Sequence, residues 1–261
     1  ISLRSNLLRA VKLMLQHAVT ARLLKRNPLV DKPVRLPRGV SKQAAIPSKE
    51  EIQTLLRASV VRRLKDHPHA RRNRVLVVML TIFGGLRAGE ICGLQWADID
   101  FERNGINVQH SLSKFDGLKG PKTPAGIRFL PMAPPLAEML RGYRDMLGEA
   151  AVGYVITNRA GGPIQANWLN SSSSYWRVVC QEAGMINADG RPKYTIHRMR
   201  HVAVSLWLDG GLDAMHVKTM VGHARVSTTL DIYGHLFPEN DQARLAVGRA
   251  SSQFELPPPS E

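Results

Sequence analysis

Residues 75–83 read VLVVMLTIF, and Gly84-Gly85 follow at once. A helix that is apolar around its whole circumference has no face to offer water. Residues 71–83 are predicted to form a mostly buried helix whose apolar run lies inside a core, with other elements wrapped about it. The run is far short of the ~20 residues that span a bilayer, so a membrane segment is excluded as its explanation. The glycine pair breaks the helix, and a second helix is predicted to start near Arg87. A hydrophobic fraction of 44% is enough to build that core.

The neighbouring segments are consistent with a mainly helical body. Ser48 is a plausible N-cap for a helix running through Leu56. The stretches ADIDFERNGINVQH and GIRFLPMAP read as short strands, with turns at Asn104-Gly105 and around Lys119 to Gly126. From about residue 134 the pattern is helical again, interrupted by a loop at NRAGGPI. No internal repeat is visible. The expected fold class is mainly α with a small antiparallel β-sheet (α+β).

Ahead of this body, SNLLRAVKLMLQHAVTARLLKRNP carries Leu7, Leu8, Val11, Leu15, Ala18 and Val19 on one helical face, and Asn27-Pro28 stops it. Residues 29–47, LVDKPVRLPRGVSKQAAIP, read as an extended linker because of Pro33, Pro37, Gly39 and Pro47. One helix cannot bury its own apolar stripe, so residues 1–30 are expected to be the C-terminal part of a truncated helical domain. The first residue is Ile rather than Met, which predicts a fragment of a longer chain. At the other end, SSQFELPPPSE reads as a tail.

Charge narrows the range of partners. The formal net charge is +15, and residues 1–49 hold eleven Lys and Arg against Asp31 alone. A basic arm before a nearly balanced body favours a polyanion, nucleic acid before a membrane surface. Cys92 and Cys180 stand far apart, so neither a zinc site nor a disulfide framework is suggested; two buried thiols in a reducing compartment are expected.

Several polar residues carry chemistry in their spacing. Arg87 opens a helix after two glycines, and Glu90, three positions on, shares its face and can hold the guanidinium. A fork held in one orientation suits a phosphate, although a surface ion pair would look the same. In TIHRMRHVAVSLWL, His197, Arg200, His201, Val204 and Leu208 share a face. The two histidines resemble a zinc-protease motif, but Arg198 stands where its general-base Glu belongs, and no metal is expected. Lys122 falls in a hairpin turn, either as an exposed lysine or as a cation poised over a cleft. In HARVSTTLDIYGHL, Tyr233 is either a packing residue or a nucleophile. Together, two arginines, a lysine, two histidines and a tyrosine suit a phosphodiester. The forks bind the non-bridging oxygens, each worth about 3–4 kcal/mol in the transition state. A phenol with a pKa of about 10 requires about 4 kcal/mol to ionise at neutral pH, which nearby cations lower.

The order Arg87, Lys122, His197-x-x-Arg200, His223, Tyr233 resembles the active site of the tyrosine recombinases, the phage-integrase family. GGLRAGEICGLQWADID is similar to the family's first box and VGHARVSTTLDIYGHL to its second, and the resemblance covers about residues 46 to 245. Met199 and Val202 stand where Leu and Thr are common, which touches local packing rather than chemistry. The resemblance implies that Tyr233 attacks the scissile phosphate, giving a 3′-phosphotyrosine and a free 5′ hydroxyl. Arg87 and Arg200 would clamp the phosphate, His223 would hydrogen-bond it, and Lys122 would protonate the leaving oxygen. His197 would assist proton transfer at the tyrosine, and Glu90 would hold Arg87. His201 and His235 are expected to be packing or supporting residues, and His216 a surface one. No metal, ATP or other cofactor is expected.

The resemblance further implies a core-binding domain ending in residues 1–30, a basic linker at 31–47, a catalytic domain at 48–245 and a tail at 246–261 exchanged between protomers. Double-stranded DNA is the expected partner, with Arg35, Arg38, Lys42 and Lys119 on its backbone. Assembly would be a homotetramer on paired sites, with an accessory DNA-bending or excision factor and no membrane. The expected location is the cytoplasm, at the nucleoid. Two other readings stay open: a type IB topoisomerase-like DNA relaxase, and a DNA-binding protein with a degenerate site. Against the second, no catalytic position is visibly lost.

Overall fold

A computed structural model describes residues 3–32, 34, 46–61, 68–120, 126–171, 174–223 and 225–233. The chain falls into two units, Ile1–Ala44 and Ala45–Glu261. In the first, α1 (Leu3–Thr20) leaves Leu8, Val11, Leu15, Ala18 and Val19 half-buried along one face, while Leu7 is exposed. Residues 29–31 are not extended as expected but belong to the short helix α2 (Pro28–Asp31). The buried Asn27 causes this: its side-chain oxygen accepts from the Leu29 N–H at 3.1 Å and its amide donates to the Lys12 carbonyl at 3.1 Å. Pro28 at the first helical position lacks only a donor the helix would leave unused. Linker residues 33 and 35–45 lie outside the described residues.

The second unit begins with α3 (Lys49–Val60), entered through a capping box. The Ser48 hydroxyl accepts from the Glu51 N–H, and the Glu51 carboxylate accepts from the Ser48 N–H at 2.9 Å. The all-apolar run forms α4 (Pro68–Ile82), whose Leu76, Val77, Val78, Leu80 and Ile82 are fully buried. It packs against α3, α6 (Pro134–Leu147), α7 (Tyr175–Glu182) and α8 (Ile196–Asp209), the central place its composition required. After Gly84-Gly85 comes α5 (Ala88–Gly93).

The sheet is small. Strands β1 (Ile99–Asp100) and β2 (Gly105–Val108) meet at the expected turn, where Asn104 takes φ 52°. A hairpin that sequence reading missed follows: β3 (Ser111–Ser113) and β4 (Gly117–Lys119), turning at Lys114–Asp116. Next, β5 (Arg128–Pro131) returns antiparallel to β2, giving the order β1-β2-β5 with Val108 opposite Arg128. α9 (Ala214–Val221) and α10 (Val226–Tyr233) complete the unit. They form a second, small apolar cluster with α8: Val204, Leu208, Val217, Val221 and the ring of Tyr233. Both cysteines are buried and unbridged, and burial pushes each thiol up to about 12. Among the described residues, no helix is long and apolar enough to cross a membrane.

The capping box gives the first prediction. Ser48→Ala should lower stability by about 1 kcal/mol, seen as a reduced urea midpoint with an unchanged slope.

Candidate active site

Three arginines from distant parts of the chain converge on one carboxylate. Arg87 caps α5, and its backbone N–H and its Nη1 each donate to the Glu90 carboxylate at 2.8 Å. Arg128, on β5, reaches the same carboxylate with both terminal nitrogens, at 3.0 and 2.9 Å. Arg200, on α8, brings Nη1 to 3.9 Å from Glu90 Oε2. Burial favours the neutral form of Glu90. The hydrogen bonds and charge of Arg128, then those of Arg87, outweigh it and hold the carboxyl at about 2, against 4.5 for a free side chain. Three guanidinium groups against one carboxylate leave an excess of positive charge in this cluster. It is a seat for an anion.

The arginines are also fixed through backbone carbonyls that the chain turns toward them. Arg200 Nη1 donates to the Gly85 carbonyl at 2.6 Å and Nη2 to that of Val221. Arg87 Nη2 lies 3.4 Å from the Gly222 carbonyl, and Arg128 Nε donates to Met220 at 2.7 Å. Gly85 and Gly222 take φ +57° and +69°, a region that suits glycine. A Cβ on Gly85 would also lie 2.9 Å from the Trp207 ring. Gly222 ends α9 in the left-handed conformation, closing the helix and delivering His223 beside the arginines. The guanidinium of Arg200 is buried, 4% exposed, and burial with the charge of Arg87 lowers its proton affinity. Arg87 is 41% exposed, so its fork is open to a ligand from solvent.

Beside the arginines stands a row of aromatic rings. His197 and His201, one turn apart on α8, meet edge to face with centroids 5.4 Å apart. His201 Nδ1 lies 2.7 Å from the Tyr233 hydroxyl. Burial pushes the Tyr233 phenol up to about 12, with the charge of Arg200 pulling the other way. Both histidines are lowered, His197 by burial, Arg200 and Arg87, and His201 by burial, His197 and the arginines of its own helix. His223 is pushed down to about 4, by burial first and then by Arg200 and Arg87. Its Nδ1 sits 3.0 Å from the Thr229 hydroxyl. If that hydroxyl donates, Nε2–H remains as a donor for an anion.

Five of the six expected catalytic residues, Arg87, His197, Arg200, His223 and Tyr233, are therefore joined by contacts or by mutual electrostatic influence, with Glu90 at their base. The sixth, Lys122, lies outside the described residues, in the segment between β4 and β5. Arg35, Arg38, Lys42, His235 and the tail also lie outside them. Lys119 ends β4 with its ammonium on Asp116, and the exposed His216 pairs with Asp213 at 2.9 Å. Sequence reading missed Arg128 and left the role of His201 open. Arg128 had a readable signal, a charge on the inward-facing parity of a strand next to apolar Leu130. His201 is expected to be a packing or supporting residue, and the structure makes it the one hydrogen-bonded to the phenol.

A model of the phage integrase family matches residues 48–240. The tyrosine recombinase XerC-like protein of Caldanaerobacter subterraneus subsp. tengcongensis is 28% identical over 258 residues, covering 88% of this chain and 61% of that one. The ICEBs1 integrase of Bacillus subtilis is 29% identical, covering 62% of this chain and 44% of the relative. The chain thus spans less than two thirds of these relatives. Among solved structures, the Tn1549 transposon integrase, in complex with transposon right end DNA, aligns with TM-score 0.70 and 19% identity, covering 96% of this chain and 80% of the other. XerA recombinase aligns with TM-score 0.56 and 20% identity, covering 95% and 75%. At these identities the structures establish the fold alone.

Two predictions come from the buried cluster. Arg128→Met leaves part of a buried carboxylate unpaired and should cost about 3–5 kcal/mol, measured by chemical denaturation. The folded-state pKa of Glu90 is depressed, so its contribution is complete above pH 4.5 and is lost as pH falls through about 2. A shift of that size corresponds to about 3 kcal/mol. His223, likewise depressed, loses its contribution between pH 6.5 and about 4. Stability should therefore decline continuously on acidification below pH 6.5, and Glu90→Gln should make the decline below pH 4.5 shallower than in the native chain.

Proposed function

Because the chain belongs to the phage integrase family, we propose that it is a site-specific DNA recombinase that cuts and rejoins DNA through a 3′-phosphotyrosine at Tyr233. The observation that carries this reading is the convergence of Arg87, Arg200, His223 and Tyr233 on one cationic seat. In the reaction, Arg87 and Arg200 bind the non-bridging oxygens of the scissile phosphate and oppose the charge that grows at phosphorus. The Nε2–H of His223 adds a third donor. Tyr233 Oη forms a bond to phosphorus as the bond to the 5′ oxygen breaks. Lys122 supplies the proton that the leaving oxygen takes. The phosphotyrosine retains the energy of the broken linkage, so a 5′ hydroxyl from a partner strand can reverse the step without ATP. Glu90 and Arg128 take no part in bond-making; they hold the arginine forks.

The same reading assigns the rest of the chain. Residues 48–245 form the catalytic domain, residues 1–30 end a core-binding domain, and the linker at 31–47 lays Arg35, Arg38 and Lys42 on the duplex backbone. Such contacts position without reading sequence and make binding steeply salt-dependent. The working assembly is a tetramer on two double-stranded sites, with residues 246–261 lent to a neighbour and an accessory bending or excision factor as a further partner. It acts in the cytoplasm, at the nucleoid.

The test uses duplexes with randomised arms, nicked one nucleotide 3′ of the central phosphate so that the short 5′-hydroxyl strand escapes. The native chain should accumulate a covalent protein–DNA band, and sequencing the trapped arms would define the site. Tyr233→Phe should bind the enriched duplex with unchanged affinity and trap none. Covalent trapping by that variant would move the nucleophile elsewhere.

A further inference from the structure

The phenol of Tyr233 must lose a proton as it attacks, and among the described residues its hydroxyl has one hydrogen-bond partner able to take it. From the 2.7 Å contact between the phenol oxygen and Nδ1 we infer that His201, not His197, is the general base for Tyr233. This rests on the reading of Tyr233 as nucleophile and adds a residue to it.

Geometry supports the assignment in three ways. The contact is of normal hydrogen-bond length and joins the reacting oxygen itself, whereas His197 meets the ring of His201 at its edge. The Tyr233 ring is clamped among Val204, Leu208, Val217 and Val221, so the hydroxyl is held against α8 rather than left to rotate in water. The groups acting on His201 are His197, Arg198 and Arg200 from its own helix, with Tyr233 from α10 and His223 beyond α9. Among the described residues none of these is a carboxylate. Burial first, then His197 and the arginines, lowers the proton affinity of the imidazole, while burial raises that of the phenol. A neutral imidazole facing a protonated phenol is the arrangement a base needs before reaction. It requires the tautomer with Nε2–H, Nδ1 accepting from Oη–H.

The step balances. Oη–H breaks and the proton moves to His201 Nδ1, while the Oη–P bond forms and the P–O5′ bond breaks. The 5′ oxygen takes its proton from Lys122. In religation the 5′ hydroxyl returns its proton to that lysine, and the imidazolium reprotonates the departing phenol.

The experiment compares the native chain, His201→Asn and His197→Asn in single-turnover cleavage of the enriched nicked duplex. It is repeated with sulfur replacing the leaving 5′ oxygen. Asn at 201 keeps a hydrogen-bond acceptor close to the Nδ1 position but cannot take a proton. His201→Asn should cleave about a hundredfold slower or worse while binding DNA normally. The loss should persist with the sulfur substrate, because a thiolate leaves without a proton and the defect lies at the nucleophile. Cleavage by His201→Asn within about threefold of native, or rescue by sulfur, would overturn the assignment, as would a sulfur-insensitive loss confined to His197→Asn. A second measurement needs no DNA. Two-bond proton–nitrogen NMR spectra of the intact chain at neutral pH should show His201 protonated at Nε2 and not at Nδ1. The opposite tautomer refutes the inference whether or not the native chain cleaves DNA. If instead the native chain traps no DNA while His201 shows the Nε2–H form, the hydrogen bond stands and the reading of Tyr233 as nucleophile fails.

Discussion

The unit that carries the site is organised around a carboxylate that would be costly to bury alone. Glu90 is almost wholly enclosed, and Arg128 answers it with two parallel hydrogen bonds while Arg87 adds a side-chain and a backbone donor. Removing an ion from water costs several kcal/mol, and only near-ideal geometry recovers it. That requirement fixes β5 against α5, and through the Met220, Val221 and Gly222 carbonyls it also fixes the end of α9. The anion seat follows from the same arrangement: the carboxylate neutralises part of the positive charge and orients the remainder. Arg87 keeps its outer edge in solvent, and Arg200 stands behind it.

A phosphate arriving there would meet donors already in place, so little reorganisation remains to be done at the moment of reaction. Tyr233 is held differently. Its ring belongs to a small apolar cluster, and its hydroxyl faces an imidazole. Burial makes the resting phenol harder to ionise than tyrosine in water. The chain therefore holds a protonated phenol with an imidazole nitrogen at hydrogen-bond distance, beside the charge of Arg200, which favours the phenolate.

Much of this was legible in the sequence wherever the relevant spacing is short. The all-apolar run had to be central, and α4 is. Arg87 and Glu90 at i,i+3, and His197, Arg200 and His201 on one helical face, are properties of a 3.6-residue period that tertiary structure did not disturb. What escaped depends on contacts distant in sequence. Arg128 meets Glu90 across 38 positions, and only its inward strand parity hinted at that. His201 meets Tyr233 across 32 positions, so the choice between His197 and His201 as partner rests on how α10 docks on α8. The hairpin of β3 and β4 was overlooked because its strands are three residues long, too short to display alternation. Helix α2 was hidden because Asn27-Pro28 reads equally as a stop and as a start.

The most direct measurement is the chemical identity of the trapped intermediate. After cleavage of the nicked duplex, nuclease and trypsin digestion followed by mass spectrometry should find a 3′-phosphonucleotide on the peptide Val226–Arg244, with fragment ions placing it on Tyr233. The same adduct on a serine, a histidine or another tyrosine would contradict the chemistry assigned to this site.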